Sequence, residues 1–202
     1  MDSDTKRLFS FILAALLGVV SAGIFTLTAP AADESAPPAL DRADIKVGDQ
    51  APAFSLPMYP QGTFHLGDEG NQTLVLYFYP GDGTPQCTKQ ALAFRDHLAD
   101  FQQAGAVIYG VSPDSLDSHA AFTKQYNLPY PLLVDADGRV RMLYGMPDSK
   151  AEIQGRMTYV IDKTGTVRAV VGELQDMDRH VSQVLAAVQQ VASSSPQTAQ
   201  VK

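Results

Sequence analysis

The chain has a single sulfur nucleophile, Cys87, and the residues around it are of types that make a thiol reactive. Upstream, Leu74–Tyr79 is apolar, aromatic and β-branched and reads as a buried strand, which Pro80 and Gly81 end. Thr84 followed by Pro85 reads as a helix start, with Thr as N-cap and Pro at the first helical position. Cys87 then falls at the third helical position. There the unpaired backbone N–H groups and the positive end of the helix dipole favour thiolate over thiol. A lone cysteine is otherwise more often an inert core residue; the strand, turn and capped helix favour the nucleophile. Thr84 lies three residues earlier, so its hydroxyl can reach the sulfur while capping the helix, and Pro80 would shape the pocket and shield it from water. For a cation the chain offers Arg95, Arg139, Arg141, Arg156 and Arg168. Arg95 is about 12 Å along the helix from Cys87 and too far to act on the sulfur. Spacing does not choose among the others.

The elements that position these residues follow from pattern. Strand signals fall at 74–79, 107–111, 132–134, 157–161 and 166–171, with Asp162-Lys163-Thr164-Gly165 as a hairpin turn between the last two. Helical spacing runs from Pro85 to about Gln103, through Ala91, Phe94, Leu98 and Phe101. A second helix is expected from about Asp114 to Asn127, stopped by Pro129. A third is expected from Met177 to Ala192, with Val181, Val184, Leu185 and Val188 buried. The order of strands and helices predicts an α/β domain with helices on both faces of one sheet.

Composition bounds the function. Hydrophobic residues make up 45% and charged residues 18%, ordinary values for one globular domain. A net charge of −7 gives no footprint for nucleic acid, and one cysteine permits no internal disulfide. Gly81-x-Gly83 lacks the third glycine of a dinucleotide loop, and no phosphate loop occurs. His65, His97, His119 and His180 have no metal spacing and read as structural or exposed. Asp135-Ala136-Asp137-Gly138 reads as a plain turn.

The termini read separately. Lys6 and Arg7 precede an apolar run from Leu8 to Leu27, about 30 Å long as a helix and enough to cross a bilayer core. Residues 1–28 are therefore expected to be a hydrophobic helix acting as signal anchor or cleaved signal peptide. Residues 29–44 read as a flexible linker, 45–192 as the domain and 193–202 as a disordered tail. On this reading the domain is exported across, or anchored in, a membrane on the non-cytoplasmic side.

Pro80-x-x-x-Thr84-x-x-Cys87 resembles the active-site signature of the peroxiredoxins. The longer text Leu76–Pro80, Cys87-Thr88-Lys89-Gln90-Ala91 and Phe94-Arg95-Asp96 is most similar to their bacterioferritin-comigratory, or Q-type, branch. Gly110–Asp114, Ser118-His119-x-x-Phe122, Leu128–Leu133 with Asp135, and Arg156–Asp162 continue the likeness in order, over roughly residues 45–190. The resemblance implies a thioredoxin-like fold with a central mixed sheet, no cofactor, and a monomer or dimer. It implies reduction of hydrogen peroxide and organic hydroperoxides by a peroxidatic Cys87, with Thr84, Pro80 and the matching Arg156 in the active site.

Two departures stand out. The resolving cysteine that the branch often carries five residues after the first is Leu92 here, so an external thiol such as thioredoxin, glutaredoxin or glutathione must resolve the sulfenic acid. Gln90 replaces the usual acidic residue. A disulfide oxidoreductase is disfavoured because Thr84 and Gln90 stand where a Cys-x-x-Cys partner would be. The absence of Trp disfavours a glutathione-peroxidase pocket. The competing function is a membrane-tethered redox sensor or binding domain with little turnover.

Overall fold

The computed structural model describes residues 44–68, 70–146, 155–172 and 175–194. The expected leader at 1–28, the linker up to 43 and the tail from 195 lie outside the described residues. Among the described residues no helix is long and apolar enough to cross a membrane.

The described residues form seven strands: β1 Ser55–Tyr59, β2 Thr63–His65, β3 Thr73–Phe78, β4 Ala106–Ser112, β5 Leu132–Val134, β6 Met157–Ile161 and β7 Val167–Val171. They also form five helices: α1 Pro85–Asp96, α2 Leu98–Gln103, α3 Leu116–Tyr126, α4 Arg139–Leu143 and α5 Met177–Ser194. One mixed sheet holds every strand in the order β2-β1-β5-β4-β3-β6-β7. β3, β4 and β5 run parallel, whereas β6 pairs antiparallel with β3 and β7.

β3 sits at the centre and is buried along its whole length, as a strand covered on both faces must be. Its side chains divide by the period of two. Val75 and Tyr77, continued by Tyr79, enter a cluster with Cys87, Phe94, Phe101, Phe122 and Val184, supplied by α1, α2, α3 and α5. Leu74, Leu76 and Phe78 enter the opposite cluster with Leu56, Phe64, Val140 and Tyr144, supplied by β1, β2 and the α4 region. Helices thus cover both faces, as expected.

The five predicted strands are found within a residue of their expected bounds. The helix expected over 85–103 is two. At His97 the backbone turns to φ −100° and ψ 8°, and the ring pairs with Asp100 at 3.1 Å. The pattern reads as continuous because Phe94 and Phe101 belong to one buried stripe, with ring centroids 5.8 Å apart. β1, β2 and α4 have no counterpart in the pattern reading. β1 contains Pro57 and has one fully buried side chain, β2 has three residues, and α4 is a five-residue helix, all too short for periodicity to register.

A buried tyrosine relay seats α1 on the sheet. Tyr77 Oη donates to Tyr130 Oη at 3.3 Å, and Tyr130 Oη donates to the Ala91 carbonyl of α1 at 2.8 Å. Burial pushes both hydroxyls well above the ordinary phenol range, so they stay neutral donors. Tyr77 fits because β4 carries glycine beside it. A Cβ at Gly110 would lie 2.6 Å from the Tyr77 ring and 2.8 Å from Leu132. Gly110→Ala should therefore destabilise the fold by about 2 kcal/mol through overpacking. Urea unfolding measures this, and an unchanged midpoint would show that the ring can move aside.

Candidate active site

The site is built where β3 hands over to α1. The Tyr79 N–H still donates to Val111 in β4 at 3.0 Å, after which Pro80 leaves the sheet. Gly83 adopts φ +73°, a conformation that suits glycine, and Thr84 then takes the extended N-cap conformation at φ −69° and ψ 146°. Its hydroxyl oxygen accepts from the Cys87 N–H at 3.4 Å, with Pro85 opening the helix. Cys87 therefore stands in the first turn of α1, one per cent exposed and free.

The cation comes from the residue that leads into β6. Pairing of Phe78 with Met157 brings the residue before β6 to the end of β3, and that residue is Arg156. It is largely buried, and its Nη2 donates to Cys87 Sγ at 3.3 Å. Pro80 packs beside the same segment. A Cβ on Gly155 would lie 3.0 Å from Pro80 Cγ and 2.5 Å from Arg141 Nη2, so only glycine fits between them. The Gly155 carbonyl accepts from Arg141.

The structure thus gathers Cys87, Thr84, Arg156 and Pro80 into one place. The other arginines are engaged elsewhere. Arg95 bonds Asp96 and the Tyr126 carbonyl, and Arg168 pairs with Asp162 at 2.6 Å. Arg139 is exposed. Arg141 is buried and bonds the Gly155 carbonyl, in the wall of a cavity of about 380 Å³ with Phe78, Ser112 and Asp135. Leu92 is half-buried on α1.

Pattern reading missed the polar groups that surround this arrangement. Gln90, one turn beyond Cys87, is fully buried. Its Nε2 lies 3.4 Å from His180 Nε2, which is also 2.8 Å from Thr158 Oγ1. Gln90 Oε1 is buried without a hydrogen-bond partner. Asp82, in the loop before Thr84, meets the fully buried His119 of α3 at 2.9 Å. These partners are separated by 90 and 37 residues, a distance that no local spacing spans. The only signal for His119 is its place at a helix start, beside Ser118.

Comparison with known proteins gives the family of the chain. The profile of the AhpC/TSA family matches residues 47–170. The chain is 40% identical over 144 residues to the chloroplastic peroxiredoxin Q of Gentiana triflora, covering 71% of this chain and 66% of that protein. It is 41% identical over 144 residues to the chloroplastic peroxiredoxin Q of Arabidopsis thaliana, covering 71% and 67%. The chain therefore spans about two thirds of the length of these relatives. Among solved structures, the peroxidoxin BcpB of Mycobacterium tuberculosis superposes with a TM-score of 0.67 at 32% identity, over 73% of this chain and 98% of that one. The fold is thus thioredoxin-like.

One expectation is corrected here. The reading of a domain exported across, or anchored in, a membrane is overturned, since the relatives are named as chloroplastic peroxiredoxins. That reading rested on the length of the run 8–27, and an apolar stretch has the span of a bilayer core whatever its destination. With its family profile, its relatives and its active-site signature in agreement, the chain belongs to the AhpC/TSA family and is a peroxiredoxin.

Proposed function

We propose that the protein reduces hydrogen peroxide and organic hydroperoxides through Cys87 alone, and that an external thiol returns the oxidised sulfur to its starting state. One observation carries the reading: the sole sulfur nucleophile of the chain lies in the capped first turn of a helix, 3.3 Å from a largely buried guanidinium.

The chemistry balances on these groups. The Cys87 thiolate attacks one oxygen of the peroxide and an S–O bond forms as the O–O bond breaks. The hydroxyl stays on sulfur as sulfenic acid, and the second oxygen leaves as hydroxide or alkoxide and takes a proton from solvent. Arg156 supplies positive charge to the thiolate and to the charge developing on the departing oxygen. Thr84 Oγ1 accepts from the Cys87 N–H, which leaves its O–H to donate to the peroxide or the sulfur. An external thiol then displaces water to form a mixed disulfide. A second thiol releases Cys87 and leaves as the reductant's disulfide. Thioredoxin, glutaredoxin and glutathione are the candidate donors, and parallel assays with each identify the one that sustains turnover. Sustained multi-turnover consumption also separates an enzyme from a sensor oxidised once.

Cys87→Ser should abolish peroxide reduction with the fold retained; substantial activity in the purified variant would overturn the assignment. Thr84→Val and Arg156→Gln should each slow oxidation of Cys87 by roughly 10²-fold, the usual cost of one stabilising donor. Stopped-flow rates within twofold of the parent would reduce that residue to a structural role.

The lack of a cysteine at Leu92 gives a separate expectation. One equivalent of peroxide should add a single oxygen to Cys87 that persists until thiol is supplied, and excess should carry it on to sulfinic acid. Intact mass spectrometry reads both steps. A clean covalent homodimer through Cys87 would mean that a second copy resolves the sulfenic acid.

A further inference from the structure

The loop between Pro80 and Thr84 carries a carboxylate that the chemistry above does not use. Asp82 stands between two glycines, with its side chain 7% exposed. Oδ1 accepts from Tyr79 Oη at 2.8 Å, and Oδ2 accepts from Ser118 Oγ at 2.8 Å and His119 Nδ1 at 2.9 Å. The other ring nitrogen of His119, Nε2, faces the Leu133 carbonyl at 3.3 Å. A carboxylate only accepts, so the hydrogen of this contact sits on the His119 side and the ring is oriented by Asp82 at one end and the Leu133 carbonyl at the other. Burial alone would raise the Asp82 carboxyl. The hydrogen bond and charge of His119, with Tyr79 and Ser118, outweigh burial and hold it below the usual carboxylate range.

The backbone of the loop is tied as well. The Asp82 N–H donates to Asp114 Oδ2 at 2.8 Å, and Ser112 Oγ donates to the same oxygen at 2.8 Å. Gly81 lies so close that a Cβ would come within 3.3 Å of that carboxylate. The titratable groups facing Asp82 are Tyr79 and, behind it, Tyr77 from the β3 side, Asp114 from the β4–α3 connection, and His119 from α3.

Burying a carboxylate against an imidazole returns little net stability, because desolvation opposes their attraction. The location of the contact is more telling. With glycine on either side, Asp82 is the side chain that bonds this turn to α3, two residues before the cap of α1 and five before the sulfur. We propose that Asp82 and His119 are a positioning pair for Cys87, clamping the loop onto α3 so that Thr84 and Cys87 are held in register with Arg156. Neither touches the reacting atoms; both act through the loop. This rests on the reading of Cys87 as the reactive sulfur.

Asp82→Asn and His119→Gln test the pair. Asn keeps the shape, but its amide N–H₂ turns a donor toward groups that already donate. Each variant should slow oxidation of Cys87 by hydrogen peroxide by about tenfold, as expected when an attacking group loses alignment. Each should also move the pH profile of Cys87 alkylation by iodoacetamide upward by about half a unit or more, a readout that loss of global stability alone would not shift. The double variant should be no slower than either single one, since the two side chains act as a unit. Asp82→Glu, which restores the carboxylate, should recover part of the rate. Rates within twofold of the parent together with a superimposable pH profile would overturn the proposal. If Asp82→Asn does not fold, Tyr79→Phe removes one bond to the same carboxylate, and an unchanged rate and profile there overturn the proposal equally. The alkylation arm uses no peroxide. Protein that alkylates with the shifted profile but ignores peroxide would remove the peroxidase reading and leave the positioning pair standing.

Discussion

The contact between Arg156 and Cys87 ties a charge at the entrance to one strand to a sulfur on a helix, and both groups are nearly withdrawn from water. The two residues are 69 apart in the chain, so the contact is only as reliable as the sheet that brings them together. The antiparallel register of β3 and β6 sets it, with Phe78 opposite Met157. A slip of one residue would send the apolar side chains of a doubly buried strand to the wrong faces. Register is thus enforced by Leu74, Leu76 and Phe78 on one face and Val75 and Tyr77 on the other. The packing that makes the fold stable is the same packing that delivers the guanidinium.

How much could be read from the chain depends on distance along it. The strand, the turn, the cap and the place of Cys87 in the first turn are local, and pattern found all of them. Turn chemistry placed the end of β3 at Pro80, and the Thr84–Pro85 pair placed the helix start. Arg156 required the family likeness, because nothing in its own neighbourhood distinguishes it from Arg141 or Arg168. The Asp82–His119 and Gln90–His180 contacts were not legible, since each joins elements whose relative placement is a property of the whole sheet. The break at His97 was missed for a different reason: one buried stripe runs across two helices, and periodicity cannot tell a kinked helix from a straight one. Short elements such as β2 and α4 carry too few residues for a pattern to exist.

The polar groups beneath the sulfur show that the site is not built for stability alone. Gln90 buries an amide whose oxygen finds no donor, a defect of roughly 1–3 kcal/mol in a protein interior. Local rules are broken in this way most often where function sets the residue. An acid at the same position would place a carboxyl rather than a neutral amide against His180. The neutral side chain therefore alters the electrostatics under the first turn of α1 without altering its packing.

The tyrosine relay that seats α1 has an optical consequence. The chain contains no tryptophan and eight tyrosines, so its near-ultraviolet signal comes from tyrosine with little contribution from phenylalanine. Tyr77 stacks between Tyr79 and Phe94, with centroids 5.3 and 4.7 Å away, and rings fixed this closely are coupled chromophores. Tyr130 ends the relay on a carbonyl of α1 itself. Any reaction step that unwinds this helix breaks that bond and loosens the stack, and tyrosine circular dichroism will follow it without an added label. The molecule thus carries its own spectroscopic gauge of whether the helix beneath the sulfur is wound or open.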